Sequence, residues 1–493
     1  MPGGRECTLA GLAIGPGGGF MTEHFRRFEK SGRLQRRAHE LVPGGSHTYA
    51  KGDDQYPILA PGFIERGSGC HVWDVDDNRY IEYGMGNRAV GLGHAYPKVV
   101  QAAEKALRDG CNFTRPARIE LNCAETFLDL IEGAEMVKFC KDGSDATSGA
   151  VRLARAYTGR DLVACCGDHP FFSTDDWFIG TTAMNAGIPA ATRQLTLTFR
   201  YNDIASVRNL FAAHPGKIAA LILEPARADE PRDGFLHEVR RLCHENGALF
   251  ILDEMITGFR WNARGAQSEY GIEPDLSCFG KALANGFSVS ALAGKREYMR
   301  LGGLDHLDKP RVFLLSTTHG AETHALAAAI ATMRTYRDEP VIEQIYAQGQ
   351  KLRDGIEEAA RRNGVSDHFK VVGRPCCLAY ATLDAGGQPS QAFRSLFLQE
   401  TIKRGILMPS LVVSYMHDDA AVAETIDAVD EALAVYARAL ADGAERYLVG
   451  RPSQVVYRQF NQPATDEFAS LQSHSRAPAA ESADQTAIPI AAK

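Results

Sequence analysis

Lys281 and Asp253 are the residues whose types and spacing say most about chemistry. Lys281 ends the run Pro274-Asp275-Leu276-Ser277-Cys278-Phe279-Gly280-Lys281. Asp253 stands 28 residues earlier, after the apolar run Ala248-Leu249-Phe250-Ile251-Leu252, and is followed by Glu254. A lysine amine condenses with an aldehyde when it is neutral. Burial favours the neutral form, and small and apolar residues surround Lys281, with Ala282-Leu283-Ala284-Asn285-Gly286-Phe287 after it. An acid that closes a buried strand of an α/β sheet sits where ligands bind. There it can hold a proton on a heteroaromatic nitrogen and make the ring an electron sink. Each residue also has a plainer reading. Most lysines are solvated, and Asp253 could cap a helix or pair with Arg260. Met255 would share Asp253's side of a continuing strand, where it could pack on a ring or be ordinary core.

A phosphate is held by backbone N–H groups at a helix start. Asp142-Gly143-Ser144-Asp145-Ala146 lies between an apolar run, Val137–Cys140, and a helical stretch. Gly143 permits close approach and Ser144 can donate its hydroxyl; a plain N-cap is the alternative. Ser316-Thr317-Thr318-His319-Gly320 puts further hydroxyls ahead of an Ala-rich helix. Each signal is weak alone. Their order along one chain, phosphate cup then acid then lysine then threonines, makes them specific together for a pyridoxal 5'-phosphate (PLP) site.

The elements that must position these residues are legible in outline. Short apolar runs at Val137–Cys140, Leu162–Cys165, Ile218–Leu223, Leu249–Leu252 and Ala291–Ala293 alternate with helical stretches such as 145–158 and 234–246. That alternation predicts βαβ units. The expected class is therefore α/β, with a mostly parallel central sheet flanked by helices. Residues 24–41 read as an amphipathic helix with Phe25, Phe28, Leu34, Ala38 and Leu41 on one side, ended by Val42-Pro43-Gly44-Gly45. Cys70–Glu82 reads as a hairpin around an Asp/Asn turn. From about residue 325 helices dominate, at 323–337, 340–362 and 421–443, with a strand candidate at Cys377–Thr382. This second region, joined by the N-terminal helix and hairpin, predicts a smaller discontinuous α+β domain. The expected division is 1–21 a disordered tail or a start upstream of the true one at Met21, 22–95 helix and hairpin, 96–325 the large cofactor-binding domain, 326–450 the small domain, and 451–493 a disordered tail.

Composition narrows the class further. The chain has 493 residues and is 45% hydrophobic, enough for a large core. Its 54 basic and 61 acidic residues argue against a nucleic-acid surface. The 11 cysteines form no CxxC pair, so no metal site is expected, and their odd number fits reduced thiols and a cytoplasmic protein. No apolar stretch is long enough to span a membrane.

Several motifs add a resemblance. They are Pro43-Gly44-Gly45, Val72-Trp73-Asp74-Val75-Asp76, Gly91-Leu92-Gly93-His94, Arg152–Arg160, Tyr201-Asn202-Asp203, Glu224-Pro225, Asp253–Arg260, Pro274-Asp275 and Gly280-Lys281. From roughly Leu41 to about residue 440 the chain resembles the class III, fold-type I PLP aminotransferases. It is most similar to their glutamate-1-semialdehyde 2,1-aminomutase-like branch. The resemblance implies that Lys281 bonds the cofactor aldehyde and Asp253 pairs with the pyridine nitrogen. It implies that Gly143 and Ser144 form the phosphate cup and that Met255 packs on one ring face. Thr318 would reach a neighbouring subunit's phosphate, which implies a homodimer with shared active sites.

Three departures from that pattern bear on substrate. Asp168, in Gly167-Asp168-His169-Pro170-Phe171-Phe172, stands where an aromatic stacks on the ring, so His169 or Phe171 would take over. Lys51, with Tyr49 nearby, replaces an arginine that holds the substrate carboxylate. Ala321-Glu322-Thr323 replaces Gly-Asn-Pro, and an acid at Glu322 would favour a polyol or cationic substrate. The expected activity is amino transfer from an amino-acid donor to an aldehyde or ketone acceptor, sugar-like or otherwise specialised. The alternative is intramolecular transfer of the aminomutase type, with Trp177–Gly187 as a lid. A non-catalytic scaffold of the same fold is the reading from another class.

Overall fold

The computed structural model describes residues 28–460 except residue 306. The expected N-terminal tail, Phe25 and most of the expected C-terminal tail lie outside the described residues. The chain begins with the helix Glu29–Leu41 and a hairpin ribbon, β1 (Ile64–Ser68), β2 (His71–Asp74) and β3 (Arg79–Glu82). The Asp74 carboxylate fixes the β2–β3 turn by accepting from the Asp76 and Asn78 backbone N–H groups at 3.0 and 2.8 Å. The expected hairpin is present.

The large sheet follows: β4 (Met136–Cys140), β5 (Leu162–Cys166), β6 (Thr196–Phe199), β7 (Ile218–Leu223), β8 (Leu249–Asp253), β9 (Leu276–Phe279) and β10 (Ser290–Gly294). Its order is β4-β10-β9-β8-β7-β5-β6, and only β10 runs against its neighbours. The mostly parallel sheet is as expected, but two of its strands, β6 and β9, lay outside the predicted set. Both mix Ser, Thr or Cys with apolar residues, so neither reads as an apolar run. Tertiary burial, which is complete in β9, overrides that local pattern. β7 and β8 are buried along their whole length, as strands covered on both faces must be. One apolar cluster holds Ala150, Leu221 and Val239, and another holds Phe279, Ala291 and Leu326.

The third region carries the helices Thr323–Asp338, Val341–Arg362 and Asp419–Asp442 near their expected positions, and three further strands. β11 (Phe369–Val372) pairs with β12 (Ala379–Thr382), the strand expected at Cys377–Thr382; only its first expected residue, Cys377, belongs instead to a 3-10 turn, Pro375–Cys377. β13 (Ile406–Leu407) lies parallel to β3 and completes a four-stranded sheet from both ends of the chain. This is the smaller, discontinuous unit. The N-terminal helix differs from expectation in its packing: Leu34 and Leu41 are exposed in the single chain. Trp177 and Phe178 are core residues rather than the start of a free lid. The Trp177 indole donates to Ser148 Oγ at 2.8 Å, and Thr196 Oγ1 donates to the Trp177 carbonyl at 2.7 Å.

One staple ties the N-terminal segment to the large sheet. Asn285 accepts from the Leu92 N–H at 2.8 Å and donates to the Gly93 carbonyl at 2.9 Å. Its own φ of 46° is left-handed, a conformation asparagine tolerates better than most residues. Asn285→Ala loses both buried bonds and adds backbone strain, so it is expected to cost about 3 kcal/mol. Asn285→Gly, which is free of the strain, should cost about 1 kcal/mol less. Denaturant unfolding of the two variants checks this order; equal midpoints would contradict it.

Candidate active site

Topology alone brings the predicted residues to one edge. β8 and β9 are parallel neighbours with Asp253 opposite Cys278. Lys281 follows three positions after Cys278 and so emerges beside Asp253. It occupies a left-handed φ of 45° at the start of a 3-10 turn, Lys281–Ala284. Such a conformation in a non-glycine residue costs roughly 1–2 kcal/mol and clusters at functional sites. Gly143 and Ser144 open the helix Gly143–Thr158 after β4.

Met255 links these groups. Its N–H donates to Asp253 Oδ1 at 2.9 Å. Its sulfur would lie 2.9 Å from a Cβ added at Gly143 and 2.6 Å from one added at Gly280. The thioether therefore sits between the cup glycine and the glycine before the lysine. Any side chain at Gly280 would also strike Ser290 Oγ, which is why glycine stands there.

The electrostatics follow from burial. Asp253 is 2% exposed. Desolvation first, and then the charge of Glu224, push its pKa above the usual carboxylate range, while Lys281 pulls it down. Lys281 is shifted downward by desolvation, with Asp253 and Glu224 opposing and Arg88 and Arg260 assisting. Glu224 is as buried as Asp253; its Oε1 accepts from Arg227 at 2.7 Å and its Oε2 has no hydrogen-bond partner. Glu224 was read only as part of a motif. The signal that found Asp253, an acid after a buried strand, applies equally to Glu224 after β7.

The helix Gly143–Thr158 is capped by Asp142, whose carboxylate accepts the Asp145 N–H at 3.0 Å. Ser144 Oγ accepts the Thr174 N–H at 3.0 Å, which fixes the hydroxyl and leaves its hydrogen to donate. The residues present fit PLP. They offer an amine shifted toward neutrality, a buried acid poised for a cationic partner and a helix N-terminus with a fixed hydroxyl.

Asp168, Phe171 and His169 differ in their surroundings. Asp168 accepts the Tyr201 N–H at 2.8 Å, faces Arg200 and is 42% exposed, so its charge is spent at the surface. Phe171 is exposed and meets Phe178 edge-on. His169 is buried, with Tyr201 and Phe172 beside it, and its Nδ1 accepts the Glu224 N–H at 3.1 Å. That bond places its hydrogen on Nε2. Burial, and then the Arg227 charge, push its pKa down to about 3, so it stays a neutral aromatic face near pH 7.

The remaining candidates have other partners or are exposed. Thr318 is exposed, and its carbonyl accepts from Asn112 at 3.1 Å. Glu322 is paired with Lys141, which follows β4 directly, so its charge is already balanced. Lys51 lines a cavity of about 690 Å³ with His39, Glu82 and His94, and Tyr49 is exposed. Among the described residues no group of His, Cys, Asp or Glu could hold a metal ion, and no helix is long and apolar enough to cross a membrane.

Comparison with known proteins identifies the family. The model of the family "Aminotransferase class-III" matches residues 49–378. The glutamate-1-semialdehyde 2,1-aminomutase of Alkaliphilus metalliredigens is 30% identical over 430 residues, covering 83% of this chain and 96% of that one. That of Roseiflexus castenholzii is 34% identical, covering 82% and 97%. Among solved structures, the PLP-linked FumI protein of Sphingopyxis sp. MTA144 superposes with a TM-score of 0.77 at 30% identity, covering 86% of this chain and 99% of that one. The chain therefore belongs to the class-III aminotransferases, as a PLP-dependent enzyme of fold type I in the glutamate-1-semialdehyde aminomutase-like branch.

Proposed function

We propose that this enzyme moves an amino group from an amino-acid donor to a separate aldehyde or ketone acceptor. The observation that carries the proposal is the grouping of Lys281, Asp253, Met255 and Gly143 at one edge of the sheet. Bound PLP supplies an aldehyde for amine exchange and a protonated ring that withdraws electrons from the substrate carbon. Lys281 would hold that aldehyde and, as a free amine, would carry the proton to and from the substrate carbon. Asp253 keeps the ring nitrogen protonated. Gly143 and Ser144 hold the phosphate, and Met255 and His169 offer the two surfaces that confine the ring.

Intramolecular transfer is the second reading, supported by the aminomutase names of the relatives. It requires a closed site that retains the doubly aminated intermediate. The anchoring of Trp177 and Phe178 in the core favours transfer to an outside acceptor instead. A homodimer with shared sites is part of the proposal. Leu304 and Phe313, 88% and 68% exposed, shortly precede the exposed Thr318 and leave this stretch open to a second chain.

Lys281→Ala should lower turnover by at least roughly 10³-fold. Borohydride reduction of the wild type followed by peptide mapping should label Lys281; a label elsewhere would sink the assignment. Mixing the enzyme with candidate amino donors should convert it to the pyridoxamine form and release an oxo acid. Formation of 5-aminolevulinate from glutamate-1-semialdehyde with no donor present would favour the second reading.

Asp253 makes a pH prediction for the apoprotein. Its folded pKa is raised, so its contribution to stability is full below its unfolded value of about 3.9 and is lost as pH rises through the folded value. Asp253→Asn escapes that loss. The apo variant should gain on apo wild type as pH rises from about 4 to 8, read from denaturant midpoints, while its turnover with PLP collapses. A pH-independent difference would contradict the assignment. For the shared site, Thr318→Ala should weaken PLP binding roughly 10-fold, and hybrid dimers with Lys281→Ala chains should recover one intact site.

A further inference from the structure

The loop after β3 carries an arginine to which neither the sequence motifs nor the comparisons assign a role. Its backbone is left-handed at four successive residues, Met85, Gly86, Asn87 and Arg88, with φ of 43°, 57°, 56° and 70°. Three of these are not glycine, so the loop stores strain that its surroundings must hold. Arg260 is the clamp. It is 1% exposed and donates from one nitrogen to the Ile256 carbonyl at 2.8 Å and from another to the Arg88 carbonyl at 2.9 Å.

The loop then runs onto the turn that carries Lys281. A Cβ at Gly91 would lie 3.3 Å from the Ala282 side chain, and Asn285 clamps Leu92 and Gly93. Arg88 is thus held next to the lysine turn, and its charge acts on the Lys281 amine. Among the described residues its guanidinium has no hydrogen-bond or ion-pair partner. Of the nearby acids, Glu224 pairs through Oε1 with Arg227 and keeps Oε2 without a partner, and Asp253 faces the ring nitrogen in the proposed function. A strained, clamped loop thus carries an unpaired, planar cation beside the lysine turn.

We propose that Arg88 binds a carboxylate of the substrate and so places the substrate's amine- or carbonyl-bearing carbon at Lys281. The guanidinium fork matches a carboxylate in two parallel hydrogen bonds, which a lysine ammonium cannot do. Lys51 is the competing residue. It lies in the cavity of about 690 Å³ that has Gly84, Gly86 and Asn87 on its wall, and neither Lys281 nor Arg88 lines that cavity. The substrate class is then an amino acid and its oxo acid, with specificity for the acid group set by Arg88. This rests on the amino-transfer reading above.

The test compares holoenzyme binding of alanine, β-alanine and γ-aminobutyrate with that of propylamine and butylamine. Binding is followed through the visible absorbance of the cofactor, which needs no turnover. The wild type should bind at least one carboxylate-bearing amine more tightly than the plain amine of matching length. Arg88→Gln should weaken that amine roughly 10–100-fold and leave plain amines unchanged, and Arg88→Lys should restore part of the loss. Both variants keep the backbone demand of the parent residue. The proposal is overturned if the wild type shows no preference, if both amine classes weaken alike, or if Lys51→Gln alone removes the preference. It is also overturned if Arg88→Gln loses PLP affinity with the preference intact, because the cation would then serve the cofactor's phosphate. Failure of every amine to produce the pyridoxamine form would overturn amino transfer while leaving the binding comparison decisive for Arg88.

Discussion

Two buried carboxylates and one amine share the end of the sheet, and their imbalance governs the rest of the site. Removing charges from water costs several kcal/mol per ion even after relaxation. Asp253 and Glu224 repel each other, and Lys281 offsets only part of that repulsion while losing its own hydration. Arg227 holds one oxygen of Glu224, while Glu224 Oε2 and the buried Asp253 carboxylate have no cationic hydrogen-bond partner among the described residues. In the proposed function a cationic ring nitrogen beside Asp253 would supply that partner where burial is most expensive. The fold is thus least comfortable at the point where the proposed cofactor would relieve it.

The surrounding architecture keeps that discomfort from collapsing. The acids close β7 and β8, strands buried on both faces, so neither can swing out to solvent. Lys281 leaves β9 through a left-handed turn that the Asn285 staple stiffens. Gly280 and Gly143 are small because Met255 fills the space a side chain would need. Glu254, next to Asp253, turns away and accepts the Ala266 and Gln267 N–H groups at 2.9 and 2.7 Å. Adjacent acids therefore divide the work: one faces the site and the other caps a short helix behind it.

Much of this was legible in the sequence because it depends on local order. Apolar runs ending in an acid, a glycine before a lysine and a capped helix after a strand are all signals spanning fewer than ten residues. What escaped has non-local causes. β9 looks polar until the strands on either side bury it. Asp168 stands at a stacking position in the motif, yet its carboxylate is captured by the Tyr201 N–H, a contact across two loops. Glu322 reads as a free acid until the fold sets Lys141 beside it. Arg88 carries no motif at all; only the hydrogen bond from Arg260, a residue far along the chain, fixes its backbone beside the lysine turn.

The pairing of β13 with β3 has a consequence for how the molecule is made. Ile81 waits for Ile406, so the small sheet stays unfinished until nearly the whole chain has been synthesised. The hydrogen-bonding edge of β3 is open during that interval, and open edges invite pairing with other chains. The strands that hold Asp253 and Lys281 are all available by residue 294. A ribosome-bound chain can therefore assemble its cofactor cradle before its two ends meet. The last strand then acts as a clasp, closing a container whose contents were already in place.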